Sequence, residues 1–458
     1  MKRLGRFDFG VFGGGVVGGA SAFAGMAYST LQSGILCEKY DRLAPLNSAI
    51  DQSAQTLHFG DIESNMSLEE SIKVLDAATL TANYGKMVGG DFFEVRPKTL
   101  LAVGKQEMID LEKRYWKIHH MYPGLRLIGH DEIGRLEPKV VEGRGHKNIL
   151  ALRSEDGRIM NYEGLTASFI ESARKTGKRF EVSLGTTVES FHRTDFGYEV
   201  VTNKGTVEVR FAIVTAGAHS LLLAKSLGYG KDLTLLPIAG SFWLSPRVLE
   251  NKVYTMQDPV IPFAAPHGDP PFHNLLITRF GPTAKFIPFL ERRNSKTFVD
   301  FLKVAPHSPT EFAALLQAVS TRINEEGERE FTSKRLAYMF KNMFYDLPLL
   351  GKRLYLPQVQ KIIPTMHYKD LRYGKGIGGL RPQIVNLKTG EIVFGISQIF
   401  GEDNDPSIFN ITPSPGATAA LQTGMLNIQR ATAVTGERFD QERFDQDLRH
   451  PIYQTAVR

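Results

Sequence analysis

Residues 7–18 read Phe-Asp-Phe-Gly-Val-Phe-Gly-Gly-Gly-Val-Val-Gly, an apolar stretch that leads into a glycine-rich turn. The turn has the pattern Gly13-x-Gly15-x-x-Gly18. Residues 35–38, Ile-Leu-Cys-Glu, form a second apolar stretch, and this one ends in an acid. A strand, a glycine turn, a helix of small residues and a second strand with an acidic end predict a βαβ unit that binds a dinucleotide.

Each element of this pattern has a physical role in nucleotide binding. Gly13 permits the tight turn out of the strand, Gly15 lets the backbone approach a pyrophosphate, and Gly18 lets the helix pack closely on the sheet. The helix N-terminus faces the phosphate charge. Glu38 follows Gly18 by 20 residues, the separation expected for an acid that binds the ribose hydroxyls. Because the unit starts within ten residues of the N-terminus, it favours a flavin enzyme.

Composition narrows the class of protein. The 458 residues are 42% hydrophobic, which is enough for a sizeable core in one large α/β body or in two or three domains. Cys37 is the one cysteine, so we expect no disulfide framework, no cysteine metal site and no Fe–S cluster, and a reducing compartment. The histidine spacings give no ligand set, so no metal is predicted. No run of roughly 18 strongly apolar residues occurs, so we expect a cytoplasmic chain that does not span a membrane.

The charge balance is basic. A formal net charge of +6 fits a nucleic-acid binder or a protein on an anionic membrane surface. The charges are spread along the chain, and no basic run is interleaved with aromatic residues as in a nucleic-acid module. We therefore predict no nucleic-acid partner.

Local signals outline further elements. Ser67-Leu-Glu-Glu70 is a capping box that predicts a helix over about 68–85, and a second helix is predicted over about 162–176. Residues 197–215 alternate as a hairpin that turns at 203–205 and ends in a buried strand. A second match, Gly374-x-Gly-x-x-Gly379, follows no apolar strand and precedes a proline, so we predict a single dinucleotide site.

These elements predict an α/β (α+β) fold. The expected architecture is a Rossmann-like dinucleotide-binding domain interleaved with a substrate domain on a mixed or antiparallel sheet, and the family resemblance given below implies that the dinucleotide is FAD. The predicted segments are 1–85, 155–240 and 375–440 for the FAD-binding domain, 86–154 and 241–374 for the substrate domain, and 441–458 for a C-terminal tail.

Four blocks resemble one family in order along the chain. They are residues 45–63, residues 136–144 (Leu-Glu-Pro-Lys-Val-Val-Glu-Gly-Arg), residues 278–284 (Thr-Arg-Phe-Gly-Pro-Thr-Ala) and residues 413–417 (Pro-Ser-Pro-Gly-Ala). With the glycine fingerprint, they resemble malate:quinone oxidoreductases, within the D-amino-acid-oxidase-like flavoprotein superfamily. The resemblance implies an FAD enzyme, peripheral on the inner face of the cell membrane, that oxidises (S)-malate to oxaloacetate and reduces a quinone. The alternatives are oxidation of L-2-hydroxyglutarate or of an amine or amino acid, and a flavin-holding protein without catalysis.

Malate oxidation needs cations for two carboxylates and a base for the hydroxyl proton. Arg279 and Arg381 are the candidate carboxylate ligands, because a planar guanidinium binds a carboxylate bidentately; ordinary ion pairs are the alternative for both. His58 is the preferred base, with a structural histidine as the alternative, since a neutral imidazole accepts a proton at working pH. His267 and His273 are competing bases or carboxylate partners.

The second cofactor element is the helix predicted to open at Pro413-Ser-Pro415 and run to about 428. Its positive dipole end would stabilise negative charge on the reduced flavin, and an ordinary helix cap is the alternative. The predicted cofactor contacts are Gly13, Gly15, Gly18, Glu38, Lys39, Gln55, Thr56, Val188, Gly217, Pro415, Gly416 and Ala417.

Residues 334–356 mix basic with large apolar side chains. This composition suits a segment that dips into the headgroup layer of a membrane, where the quinone is found. A core stripe with a solvated face is the alternative.

Overall fold

A computed structural model describes residues 2–145, 148–257, 266–323, 329–347, 349–393, 397–399, 401–413 and 415–451. The helices of these residues are, in chain order, α1 (Val16–Tyr28), α2 (Leu68–Val88), α3 (Lys105–Ile118), α4 (His130–Leu136), α5 (Pro138–Val141), α6 (Tyr162–Arg174), α7 (His219–Ser226), α8 (Phe298–Val304), α9 (Pro309–Ser320), α10 (Ser333–Phe344), α11 (Leu350–Gln360), α12 (Ala420–Thr435) and α13 (Gln441–Leu448).

The strands are, in chain order, β1 (Arg3–Phe12), β2 (Ser33–Cys37), β3 (Thr56–Leu57), β4 (Phe93–Val95), β5 (Lys98–Val103), β6 (Leu125–Gly129), β7 (Ile149–Ser154), β8 (Arg158–Met160), β9 (Arg179–Ser183), β10 (Val188–Thr194), β11 (Gly197–Thr202), β12 (Gly205–Val214), β13 (Leu233–Ala239), β14 (Trp243–Pro246), β15 (Lys252–Thr255), β16 (His267–Asp269), β17 (Ile277–Gly281), β18 (Lys285–Phe286), β19 (Thr321–Ile323), β20 (Arg329–Phe331), β21 (Arg372–Tyr373), β22 (Leu380–Asn386), β23 (Glu391–Val393), β24 (Ser397–Ile399) and β25 (Ser407–Ile411).

The first sheet contains the predicted βαβ unit. Its order is β10-β11-β12-β1-β2-β9, with β25 pairing with the end of β12 and β24 pairing with β25. Strands β1, β2, β9, β12 and β25 run parallel, as expected for crossovers through helices. Helix α1 packs against both α6 and α12, so the strand carrying the glycine turn is buried beneath helices.

The described residues also form two small sheets, β3-β8-β4 and β19-β20, and two larger ones. One is mixed and mostly antiparallel, with the order β21-β14-β17-β16-β15-β5-β7-β6. The other is antiparallel, with the order β18-β13-β22-β23, and α9 and α10 cover it. This mixed architecture confirms the predicted fold class, while the domain boundaries stay a prediction.

Several predicted elements are confirmed and one is wrong. Helix α2 begins after Ser67, whose side chain accepts from the backbone N–H of Glu70 while the Glu70 carboxylate accepts from the N–H of Ser67. Strands β11 and β12 form the predicted hairpin. The last long helix begins at Ala420, because residues 415–419 form turns in which the N–H of Thr418 bonds to the carbonyl of Pro415. Ser414 lies outside the described residues, as do residues 452–458 of the predicted tail.

Among the described helices, none is long and apolar enough to cross a membrane.

Candidate active site

One cavity of about 660 Å³ brings together most of the predicted site residues. It extends from the glycine turn after β1 to the loop before α12. Of the predicted residues, those that line it are Gly13, Gly15, Glu38, Lys39, Gln55, Thr56, His58, Val188, Gly217, Arg381, Pro415, Gly416 and Ala417. Its volume lies within the range of small-molecule and cofactor sites.

The glycine turn forms one end of the cavity, and close packing explains its glycines. Gly13 has φ +123°, a conformation that side chains disfavour, and a Cβ there would overlap the carbonyl of Thr215. Gly18 does not line the cavity; a Cβ at this position would overlap the carbonyl oxygen of Gly13. Helix α1 therefore starts directly against the turn, where the N–H of Val16 donates to the Ser48 hydroxyl at 3.1 Å, and Val16 and Val17 line the cavity.

Glu38 lies at the end of β2 and is held by the backbone. One carboxylate oxygen accepts from the N–H of Gly14 at 2.6 Å and the other from the N–H of Tyr40 at 2.9 Å. Burial raises the pKa of Glu38, against the effect of these two hydrogen bonds. Each oxygen keeps a second lone pair, which suits it to accept from ribose hydroxyls. The neighbouring Lys39 donates to Glu291 at 2.6 Å.

The opposite end of the cavity is formed by the loop before α12. A Cβ at Gly416 would overlap the backbone of Thr412 and Pro413, so this close turn requires glycine. The Thr418 hydroxyl accepts from the backbone N–H of His58 at 3.1 Å, which joins the loop to the segment after β3. The N-terminal end of α12, with its positive partial charge, follows this loop directly.

His58 pairs with a carboxylate that sequence reasoning missed. Its Nδ1 lies 2.5 Å from Oε1 of Glu63, and Glu63 is buried. Burial would raise the pKa of Glu63, but the hydrogen bond and charge of His58, together with the charge of Lys98, hold it well below its usual range. Ionised Glu63 thus accepts the Nδ1 proton, and Nε2 is left as the proton acceptor of the ring.

Arg381 presents a half-buried cation without a carboxylate partner among the described residues. It lies on β22, lines the cavity, and its Nη1 atom is buried with no hydrogen-bond partner in that part of the chain. Burial lowers the pKa of Arg381, with the nearby Tyr338 opposing this effect. A half-buried guanidinium without a counter-ion is costly, so the site is suited to an anionic ligand.

Arg279 is not placed to bind a substrate in the cavity, contrary to the prediction. It is 1% exposed, does not line the cavity and is ion-paired with Asp269 at 3.0 Å. Its remaining donors bind the carbonyls of Ser53 and Ala54 and the side chain of Gln55. The guanidinium of Arg279 is thus bound by groups of the protein itself.

The two competing histidines also lie outside the cavity. His273 is exposed, and its Nε2 lies 3.4 Å from the side chain of Asn161. His267 is buried 3.3 Å from Asp269, and burial lowers its pKa to about 4. Neither histidine is therefore placed to act as the base, and His58 is the one predicted base that lines the cavity.

Comparisons with known proteins agree with this geometry. The profile of the FAD dependent oxidoreductase family matches residues 8–426. An L-α-glycerophosphate oxidase from Mycoplasma pneumoniae with FAD bound superposes with a TM-score of 0.64, at 16% identity over 96% of each chain. A glycine oxidase from Geobacillus kaustophilus gives a TM-score of 0.62 at 15% identity, over 93% of this chain and 95% of the oxidase. These structures share the fold.

Sequence relatives are closer. The malate:quinone oxidoreductase of Helicobacter pylori strain J99 is 36% identical over 97% of this chain and 98% of its own length. A probable malate:quinone oxidoreductase of Campylobacter jejuni is 34% identical over 97% and 99%. The human mitochondrial L-2-hydroxyglutarate dehydrogenase is 26% identical over 92% and 88%.

The glycine turn, the backbone-held Glu38 and the close turn at Gly416 form an extended cradle that fits a dinucleotide cofactor. FAD is the cofactor that the family profile names. The chain belongs to the FAD-dependent oxidoreductases and, within them, to the malate:quinone oxidoreductase family.

Proposed function

We propose that this chain oxidises (S)-malate to oxaloacetate and passes the electrons to a membrane quinone. The observation that carries the proposal is that a cation and an oriented imidazole line the same cavity. Arg381 supplies a half-buried cation without a carboxylate partner among the described residues, and the His58–Glu63 pair supplies an oriented base. The names of the relatives support malate and quinone as the substrates.

Arg381 binds a carboxylate of the substrate. Its guanidinium is held on β22, where its backbone pairs with Ile238, so the charge is positioned before the ligand arrives. An arriving carboxylate supplies the counter-ion that the described protein residues do not. Such charge-assisted, two-point hydrogen bonding also fixes the orientation of the bound hydroxy acid.

His58 accepts the proton of the C2 hydroxyl. Glu63 holds the Nδ1 proton, which keeps Nε2 ready to accept and stabilises the imidazolium after proton transfer. FAD, when bound, supplies the acceptor for the hydride that leaves C2. The positive end of α12 favours negative charge on the reduced cofactor.

A substrate panel tests the proposal directly. The purified protein carrying FAD is mixed anaerobically with malate, L-2-hydroxyglutarate, glycine or glycerol 3-phosphate, and the flavin absorbance is followed. We expect malate to bleach the flavin, and a quinone added afterwards to restore its colour. Bleaching by L-2-hydroxyglutarate alone would assign the substrate of the more distant relatives instead. If no compound bleaches a flavin that dithionite reduces, the proposed oxidation is wrong.

For the quinone step, we propose that the chain lies on the cytoplasmic face of an anionic membrane. Helices α9 and α10 pack against each other, and both expose large apolar side chains. Those on α10 and the turn after it include Phe340, Met343, Leu347, Leu349 and Leu350. We call α9, α10 and residues 345–350 the apolar face; Pro348 within it lies outside the described residues. Lys334, Lys341, Lys352 and Arg353 lie in or beside it, and their charge suits acidic headgroups.

A further inference from the structure

A cluster of buried charges lies beneath the cavity on three neighbouring strands. Lys252 on β15, Asp269 on β16 and Arg279 on β17 belong to adjacent strands of the mixed sheet. Oδ2 of Asp269 lies 3.2 Å from Nζ of Lys252 and 3.0 Å from Nη2 of Arg279. Each of the three residues is at most 1% exposed. Arg279 thus shares this carboxylate with Lys252, whose pKa burial lowers to about 7, and the N–H donors that do not reach Asp269 require other acceptors.

Those acceptors are backbone carbonyls of the loop that lines the cavity. Arg279 donates to the carbonyl of Ser53 at 3.1 Å and to that of Ala54 at 3.0 Å. Lys252 donates to the same Ala54 carbonyl at 2.5 Å. Arg279 also donates to Oε1 of Gln55 at 2.9 Å. Ser53, Ala54 and Gln55 all line the cavity. Lys252 and Arg279 therefore hold this loop from the side that faces away from the cavity.

The loop is held in a conformation that it would not adopt by itself. Gln55 has φ +56°, in the left-handed region that non-glycine residues avoid. Such a conformation is unfavourable and persists only where the surroundings impose it. The amide of Gln55 is fixed on both sides, because its Nε2 donates to Ile50 and its Oε1 also accepts from the N–H of Phe272.

The direction of the peptide bonds determines where the N–H of Ala54 points. In a planar trans peptide, the N–H of one residue points opposite to the carbonyl of the residue before it. The Ser53 carbonyl points to Arg279, so the N–H of Ala54 points away from the charge cluster. This N–H has no acceptor among the described residues, although Ala54 lines the cavity. It is therefore a donor without an acceptor among the described residues, two residues before Thr56 and four before His58, whose own N–H bonds to Thr418 in the loop before α12.

We propose that Arg279 and Lys252 are positioning residues that fix the Ala54 N–H as a hydrogen-bond donor to the flavin and thereby raise its reduction potential. A hydrogen-bond donor held against a group that gains negative charge on reduction favours the reduced form. The proposal rests on FAD binding and not on the identity of the substrate.

The test measures the potential of the bound flavin without any substrate. Arg279→Met, Arg279→Lys and Lys252→Met are compared with the unmodified protein by reduction against a reference dye. Arg144→Met is the matched control, because Arg144 also donates to backbone carbonyls, those of Val140 and Lys361, but does not line the cavity. Flavin absorbance, FAD affinity and the melting temperature are recorded for every variant.

We expect Arg279→Met and Lys252→Met to shift the oxidised-to-reduced equilibrium at least tenfold toward the oxidised flavin, which is about 30 mV for a two-electron couple. Arg279→Lys keeps the charge but loses some of the hydrogen-bond donors of the guanidinium. Its shift of the equilibrium should therefore lie between those of the unmodified protein and Arg279→Met. With malate as substrate, kcat should fall while KM stays within about twofold, since neither residue contacts substrate.

A purely structural role would give a different result. If Arg279→Lys and Lys252→Met bind FAD and melt at lower temperature but keep the potential of the unmodified protein, the proposal is wrong. If Arg279→Met does not fold, Arg279→Lys and Lys252→Met still test the proposal. Because dithionite or a dye system supplies the electrons, failure of malate to reduce the flavin would overturn the proposed function and leave this measurement intact.

Discussion

Nδ1 of His58 and Oε1 of Glu63 lie 2.5 Å apart, so a buried carboxylate contacts an imidazole that lines the cavity. A carboxylate in this position orients the imidazole and stabilises its protonated form. The five-residue separation fits neither helical nor strand periodicity, so the fold of the segment after β3 creates the pair.

His58→Asn should lower kcat by on the order of 10² to 10⁴, because the general base is lost. Glu63→Gln should lower kcat by on the order of 10², since the amide no longer stabilises the imidazolium. Anaerobic stopped-flow reduction by malate over a pH series measures both effects. Unchanged flavin reduction in His58→Asn would remove it from the mechanism.

Glu63 should also make stability depend on pH. Its pKa in the folded chain lies below the ordinary value of 4.5, so its contribution is present above that value and is lost as the pH falls. The difference in free energy of unfolding between the unmodified protein and Glu63→Gln should therefore shrink below about pH 4.5. Chemical denaturation at several pH values measures it. Glu69→Gln, at an exposed pair with Lys73, is the control and should show little difference at any pH.

Arg381→Met should raise KM for malate at least about 30-fold, equivalent to ~2 kcal/mol, because a buried charged contact to the substrate is lost. FAD content and the absorbance spectrum should stay normal. Arg381→Lys should recover part of the affinity as a point charge without the planar fork. Steady-state kinetics of the two variants are compared at equal FAD content, and an unchanged KM in both would exclude a carboxylate contact.

Gly18→Ala should yield protein without FAD, because the new Cβ would overlap the carbonyl of Gly13 and displace the start of α1. Gly129→Ala is a matched control, since a Cβ there meets nothing within 4 Å. The FAD-to-protein absorbance ratio after purification, and again after incubation with free FAD, measures the effect. A yellow Gly18→Ala protein would show that this close approach is dispensable.

The double variant Phe340→Asp/Met343→Asp should lower binding to vesicles containing anionic lipid at least tenfold at low salt. Phe340 and Met343 are 64% and 52% exposed on α10, and charge on this face opposes burial among lipid tails. Ile72→Asp, on α2 and 50% exposed, is the control and should bind normally. Cosedimentation measures bound protein; equal binding of both variants would place the membrane contact elsewhere.

The local patterns of the sequence predicted much of the fold correctly. The βαβ unit, the capped helix α2 and the β11–β12 hairpin follow from signals within a few residues. The rejected match at 374–379 indeed joins β21 to β22 without a helix. The start of α12 was placed too early because proline and glycine at 415–416 fit a helix start and a turn equally well.

The sequence by itself determined the nucleotide cradle, since the glycines, the helix and Glu38 lie close along the chain and each has a local backbone reason. Only the tertiary structure decided which charged groups line the cavity. Arg279 and Arg381 look equivalent in sequence, yet Arg279 meets Asp269 on the neighbouring strand, while Arg381 meets no carboxylate among the described residues. Side chains on different strands become partners through sheet pairing, and that pairing is a property of the whole fold.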